Sequence, residues 1–129
     1  MLLALRYPRL WLCTGWVLVA GAVLTSIMPA NHLPTLGGVS DKVEHMAAYG
    51  VLALWFAGIY PRSRYPVIAG GLLAMGVAIE WLQGAMHVGR EADFLDVIAN
   101  CVGIACGLTL ALLWLGGWAQ RVEAWIKRP

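Results

Sequence analysis

Charge is what this sequence has least of. Only 12% of its 129 residues are Asp, Glu, Lys or Arg, and 60% are hydrophobic. A soluble domain carries about 25% charged residues. Nine basic and seven acidic side chains cannot cover the surface of a water-soluble globule this rich in Leu, Ala and Val. Low charge with high hydrophobicity also excludes disorder. A net charge of +2 offers no basic face to track phosphates, which excludes a nucleic-acid reader. Cysteine is scarce too: Cys13, Cys101 and Cys106 form no CxxC or Cys/His spacing, so zinc and redox motifs are missing. There is no GxSxG elbow, HExxH, P-loop or dinucleotide fingerprint. What remains is a small integral membrane protein with a single domain spanning 1–129.

A membrane-spanning helix needs roughly 20 mostly apolar residues. Four stretches qualify: 10–28, 45–60 (with its helix beginning about a turn earlier), 67–83 and 97–118. The expected fold is all-α, a four-transmembrane-helix bundle with short connections and antiparallel neighbours. The tail after 118 mixes Val122, Trp125 and Ile126 with Arg121, Lys127 and Arg128, which predicts a short C-terminal amphipathic interfacial helix. The first stretch, preceded by Arg6 and Arg9, also has a signal-peptide reading. Its apolar core of about 18 residues and the lack of a small-x-small site favour a retained helix.

Basic residues set the orientation. Arg6, Arg9, Arg62, Arg64, Arg121, Lys127 and Arg128 fall on one side, and only Lys42 and Arg90 on the other. Both termini are therefore expected in the cytoplasm. Tyr7, Trp11, Tyr60, Tyr65, Trp114 and Trp118 fall near the inner boundary, as interfacial aromatics do.

On that topology six of the seven acids and all three histidines gather at the outer side. Asp41, His45 and Tyr49 lie at i, i+4 and i+8 on one helix face. Glu80 and Gln83 follow at i, i+3. Asp93, Asp96, Asn100, Gly103 and Gly107 form one stripe, polar above and glycine below. The glycines suit close helix approach, so the stripe should face the bundle interior. At 1.5 Å per residue Asn100 lies about 10 Å below Asp93, inside the outer leaflet.

Each residue also has a plain structural reading. Asp41 with Glu44, and Asp93 with Asp96, match acidic capping patterns and suit the helix dipole. Lys42 can snorkel, and Tyr49 can serve as a packing aromatic. Glu80 resists such a reading, because an unpaired carboxylate in an apolar span costs several kcal/mol. It should be protonated, or paired with Arg90, Lys42 or His45, and a buried carboxyl beside a histidine is a source of acid–base chemistry. Asn100 in mid-helix needs a hydrogen-bond partner. An oxygen-rich cation site from Glu80, Asp93, Asp96 and Asn100 is an alternative, disfavoured by Arg90 and Lys42 nearby. No metal or cofactor is expected.

The ordered set DKVEHMAAY at 41–49, EWLQ at 80–83 and READFLDVIANCVGIACG at 90–107 resembles the VanZ-like family of small bacterial membrane proteins. The pattern is Asp-Lys-x-x-His (Asp41, Lys42, His45), then Glu-x-x-Gln (Glu80, Gln83). It closes on Arg-x-x-Asp-x-x-Asp-x-x-x-Asn-x-x-Gly-x-x-x-Gly from Arg90 to Gly107. The resemblance covers about residues 20–116. It implies a bacterial plasma-membrane protein of the cell envelope, in a family whose founding member is associated with teicoplanin resistance.

Three functional readings follow from the residues. In the first, the chain is an enzyme acting on a lipid-linked or amphiphilic envelope molecule. Arg90, with Lys42 as a second candidate, holds a phosphate or carboxylate. His45 and Glu80 or Asp96 share acid–base work, with Asp93 beside them and Asn100 orienting the reacting group. Asp41, Lys42, Tyr49, Gln83 and Arg90 line the substrate's place. In the second, the same pocket binds an envelope lipid or antibiotic tail without catalysis. In the third, the chain is a structural partner subunit and the polar groups only bond helices. Membrane lipids are the expected partners in all three.

Overall fold

The computed structural model describes residues 1–28, 40–86 and 93–126. Among these residues there are five α-helices: α1 (Pro8–Ile27), α2 (Asp41–Ile59), α3 (Tyr65–Met86), α4 (Phe94–Leu110) and α5 (Trp118–Ile126). No strand occurs among the described residues. Pro at the start of α1 sits where a missing N–H costs nothing. A short 3-10 turn, Arg62–Arg64, leads into α3.

Three segments are long and apolar enough to cross a membrane: Pro8–Ile27, Arg62–Met86 and Phe94–Leu115. Their outward faces agree, since Trp16, Leu24, Trp81, Phe94 and Trp114 are exposed in the isolated chain. By length and composition this is a helical membrane protein. The second helix is set apart by its charged head of Asp41, Lys42 and Glu44 and by its position. It is the hub of the fold, burying Tyr49, Leu52, Ala53, Phe56 and Ala57 against its neighbours.

The closest packing is between α2 and α4. Its cause is a run of missing side chains. A Cβ on Gly103 would collide with the Met46 carbonyl oxygen, and one on Gly107 with the Gly50 carbonyl oxygen. Gly50 faces Gly103 in return. Backbones therefore touch, as small residues permit in membrane helices. Lys42 meets Asp96 at one end of this pair and Gly50 meets Gly107 further down, so α2 and α4 run parallel. Against them, α1 runs the other way, with Gly15 beside Trp55 and Ser26 beside Gln83 at the far end. So does α3, with Tyr65 bonded to Ala57 and Glu80 to Asp93.

Several boundaries differ from the sequence expectation. The fourth apolar stretch does not continue as one helix to 118. After Leu110 the chain makes a π-helical turn over Ala111–Leu115, and Gly117 takes φ +67° before α5 begins. Only glycine adopts that backbone cheaply. Asp93 is not part of the helical stripe but its N-cap, so the buried stripe starts at Asp96. The cap of α2 is Ser40, without a side-chain cap bond, so Asp41 and Glu44 do not form the expected capping box. Tyr65, at the start of α3, is buried and donates to the Ala57 carbonyl at 3.2 Å, so its ring packs against neighbouring helices.

The end where α1 begins is sealed by aromatics. Trp11, Trp55 and Trp118 have ring centroids 5.1–5.8 Å apart. Their indole N–H groups donate to Glu123, the Trp11 carbonyl and the Leu54 carbonyl respectively. Glu123 on α5 also accepts the backbone N–H groups of Arg6 and Tyr7, at 2.6 and 3.0 Å. A carboxylate there satisfies donors that the first turn of α1 cannot.

Candidate functional site

At the opposite end the polar residues converge from α2, α3 and α4. Asp96 and Asn100 lie one turn apart on α4 and are buried at 6% and 1% exposure. His45, on the first turns of α2, faces them. Its Nδ1 stands 3.2 Å from Asn100 Oδ1. An amide oxygen only accepts, so Nδ1 carries the proton and donates it. The other ring nitrogen, Nε2, lies 3.8 Å from Asp96 and 3.9 Å from Asp41. The ring is thus held from behind by Asn100 and presents Nε2 to two carboxylates.

Lys42 sits across the mouth. Its ammonium bonds Asp93 and Asp96, each at 2.5 Å. This ion pair holds the Asp93 carboxyl below the ordinary aspartate value of 3.8, helped by the N–H of Leu95. Asp93 caps α4 by accepting that N–H at 2.8 Å. Its own N–H is taken by Glu80 from α3, at 2.9 Å. The reciprocal half of the capping box, expected from Asp96, is supplied across the interface by Glu80. Lys42 is therefore engaged in joining α2 to α4.

Glu80 is 5% exposed. One carboxylate oxygen takes the Asp93 N–H, and the other, Oε1, is buried without a hydrogen-bond partner among the described residues. Its charge acts on Asp96, His45 and Asp93, so it belongs to the same cluster. Of the cations expected to pair with it, Lys42 binds Asp93 and Asp96, and Arg90 lies outside the described residues. Tyr49 is buried one turn below His45, and its hydroxyl also has no hydrogen-bond partner among the described residues. Both Tyr49 Oη and Asn100 Nδ2 pack over Gly76 of α3, where a Cβ would press on them at 3.2 and 2.9 Å. Gln83 does something else: it donates to the Ser26 carbonyl at 2.7 Å, tying α3 to the end of α1.

A cavity of about 110 Å³ opens beside His45, between α1 and α2. Thr25, Ser26, Asp41, Glu44, His45 and Tyr49 line it. Glu44 was read from sequence only as a capping acid, and its i, i+4 relation to Ala48 on the cavity wall is the signal that could have placed it. Glu123 was missed altogether; a lone acid in a basic tail was the available sign.

The arrangement has three chemical capacities. His45, oriented by Asn100, can exchange a proton at Nε2. Asp41, Asp96 and Nε2 form a donor set of the kind that binds metals, with all three atoms within 4.8 Å of one another. Two buried oxygens, Tyr49 Oη and Glu80 Oε1, can accept or donate to a guest. Comparison with family models, with curated proteins and with solved structures returns no match.

Proposed function

We propose that this chain is a VanZ-like bacterial plasma-membrane protein that acts on a lipid-linked or amphiphilic cell-envelope molecule at its polar end. In this reading α1, α2, α3 and α4 are four spans. The termini are cytoplasmic, α5 lies along the inner interface, and the His45 end faces outward. The distribution of charge supports it: Arg6, Arg9, Arg62, Arg64 and Arg121 sit at one end, and Asp41, Glu44, Glu80, Asp93 and Asp96 at the other. Labelling tests the orientation in a background with Cys13, Cys101 and Cys106 changed to Ala. A Ser40→Cys variant reacts with an impermeant maleimide on intact cells, and Ser63→Cys reacts only after permeabilisation. The reverse pattern rejects it.

The observation that carries the activity is the His45 imidazole, buried at 8% exposure and fixed by Asn100, with Nε2 turned toward Asp41 and Asp96. His45 moves the proton, Asp96 and Glu80 tune it, and Asn100 keeps the ring in register. Arg90 holds the anionic group of the substrate, because the Lys42 ammonium is already bound to Asp93 and Asp96. The test is complementation of a deletion strain, read by its envelope lipid profile. Wild type restores the profile, and Ala variants of His45, Glu80, Arg90 and Asp96 do not, at equal membrane levels. Full restoration by all four ends the proposal.

A second reading, lipid binding without catalysis, draws on an apolar crevice of about 700 Å³ between α1 and α3. Trp16, Val19, Val23, Phe56, Leu72 and Met75 line it, with Arg64 at one end. It fits an acyl chain. Function retained in His45→Gln, and unchanged between about pH 5 and 8, selects this reading over the first.

A further inference from the structure

We propose that Asp41, His45 and Asp96 bind one divalent transition-metal ion, of the zinc or manganese kind. This deepens the reading of the polar end as the working site and rests on it for the ion's purpose, whereas binding itself is measured separately.

The first argument is spacing. Nε2 of His45 lies 3.8 Å from an Asp96 oxygen and 3.9 Å from an Asp41 oxygen, and the three donor atoms are mutually within 4.8 Å. Those distances are too long for hydrogen bonds, which close to about 3 Å. Donors around one tetrahedral ion at about 2.0–2.2 Å stand roughly 3.3–3.6 Å apart. The two His45 separations are wider than that by only a few tenths of an ångström, so a slight inward shift of the carboxylates closes the set onto an ion.

The second argument is the proton. With Nδ1–H given to Asn100 Oδ1, a neutral ring offers its lone pair at Nε2. A ligating histidine usually donates its other N–H to an oxygen in this way, which fixes the tautomer and aims the ring. Asp96 is divided likewise: one oxygen binds Lys42 Nζ and the other faces His45. Lys42 thus compensates part of the carboxylate charge without occupying the place between the three donors.

The third argument is independent of that trio. Glu80, 5% exposed and in the field of Asp96 and His45, keeps Oε1 buried with no hydrogen-bond partner among the described residues. A buried unpaired carboxylate oxygen is costly unless a donor or a cation serves it. A cation at the three donors adds positive charge to the cluster that this oxygen belongs to. One imidazole with two carboxylates is a borderline-hard set, which suits Zn²⁺ and Mn²⁺ better than copper or a thiolate-seeking metal.

The test uses the full chain in lipid nanodiscs, stripped with chelator and titrated with Co²⁺, Mn²⁺ and Zn²⁺. Co²⁺ absorption, Mn²⁺ spin resonance and zinc analysis report binding. We expect one ion per chain, and a rise in melting temperature on adding it, as any ligand of the folded state gives. His45→Gln removes both signals, and Asn100→Ala weakens binding about tenfold by freeing the ring. Glu123→Gln, at the far end, changes neither. His45→Gln leaves the Lys42 ion pairs intact, and its melting without metal checks that it folds. No binding above that of empty discs, or equal binding by wild type and His45→Gln, overturns the site. Absent binding with lost complementation by His45→Gln rejects the metal and leaves the proposed function standing. Binding with full complementation by all the Ala variants rejects the function and leaves the metal site.

Discussion

The two ends of the helical bundle use the same device with opposite completeness. At the end where α1 begins, the Glu123 carboxylate accepts two backbone N–H groups and the Trp11 indole, and all three clustered indoles have acceptors. At the other end Glu80 accepts one backbone N–H, and among the described residues its second oxygen and the Tyr49 hydroxyl have no hydrogen-bond partner. A fully satisfied polar network is a fastening. A buried network left short by two atoms is a place where something else completes it. The contrast sets a completed polar network against an incomplete one within one small chain.

Several substitutions test that contrast. The largest effect belongs to neither end but to the seam joining them. Gly103→Leu drives a side chain into the Met46 carbonyl and should prevent α2 and α4 from meeting. Overpacking commonly costs about 1–3 kcal/mol and more where backbone blocks the way, so loss of folded protein in detergent is expected. Native-like melting of this variant breaks the account of the seam.

Next comes the fastening. Glu123→Ala removes the acceptor of three hydrogen bonds and should lower stability by about 1–3 kcal/mol, without altering complementation. Denaturation followed by Trp fluorescence measures it, since Trp11, Trp55 and Trp118 report that end. Glu80→Gln makes the opposite prediction. It retains an acceptor for the Asp93 N–H, so stability shifts by less than about 1 kcal/mol, while complementation is lost. If both variants behave alike, the distinction between the ends collapses.

A smaller effect appears with acid. The Asp93 carboxyl is depressed by Lys42, so its folded value lies below its unfolded one. Its contribution is present above the ordinary aspartate value of 3.8 and is lost as pH falls through the lower, folded value. Hydrogen exchange at the first turn of α4 should therefore quicken below about pH 4, ahead of the Trp end. Lys42→Met should erase that difference in onset. Smallest of all, Cys13→Ala, Cys101→Ala and Cys106→Ala each replace an exposed side chain and should move stability by no more than about 0.5 kcal/mol.

Much of this fold was legible because membrane helices advertise themselves by hydropathy. The stripe from Asp96 to Gly107 was legible because the spacing of 4, 3 and 4 puts residues on one face whatever the partner. The end of α4 was not, because Leu112 to Leu115 are as apolar as a continuing helix and hydropathy does not register a π-turn. The partner of Lys42 was not either. Charge counting offered it as an anion holder, whereas three-dimensional proximity gives it to Asp93 and Asp96. Gln83 shared the polar end by spacing but bonds a helix terminus. Helical periodicity tells which residues share a face, and it is silent on which of two nearby acceptors a donor chooses.

The glycine contact between α2 and α4 has one more consequence. Where side chains separate two helices, their rotamers give slack, and the helices can slide by fractions of a turn. Where carbonyl meets Cα, as at Met46 with Gly103 and Gly50 with Gly107, no such slack exists. The contact works as a ruler stop. It sets the axial offset of His45 against Asn100 before either polar group makes a bond, so their geometry is inherited from the backbone and does not depend on their own attraction. Polar groups gauged in this way are pre-positioned, and under the proposed function binding would spend little free energy aligning them.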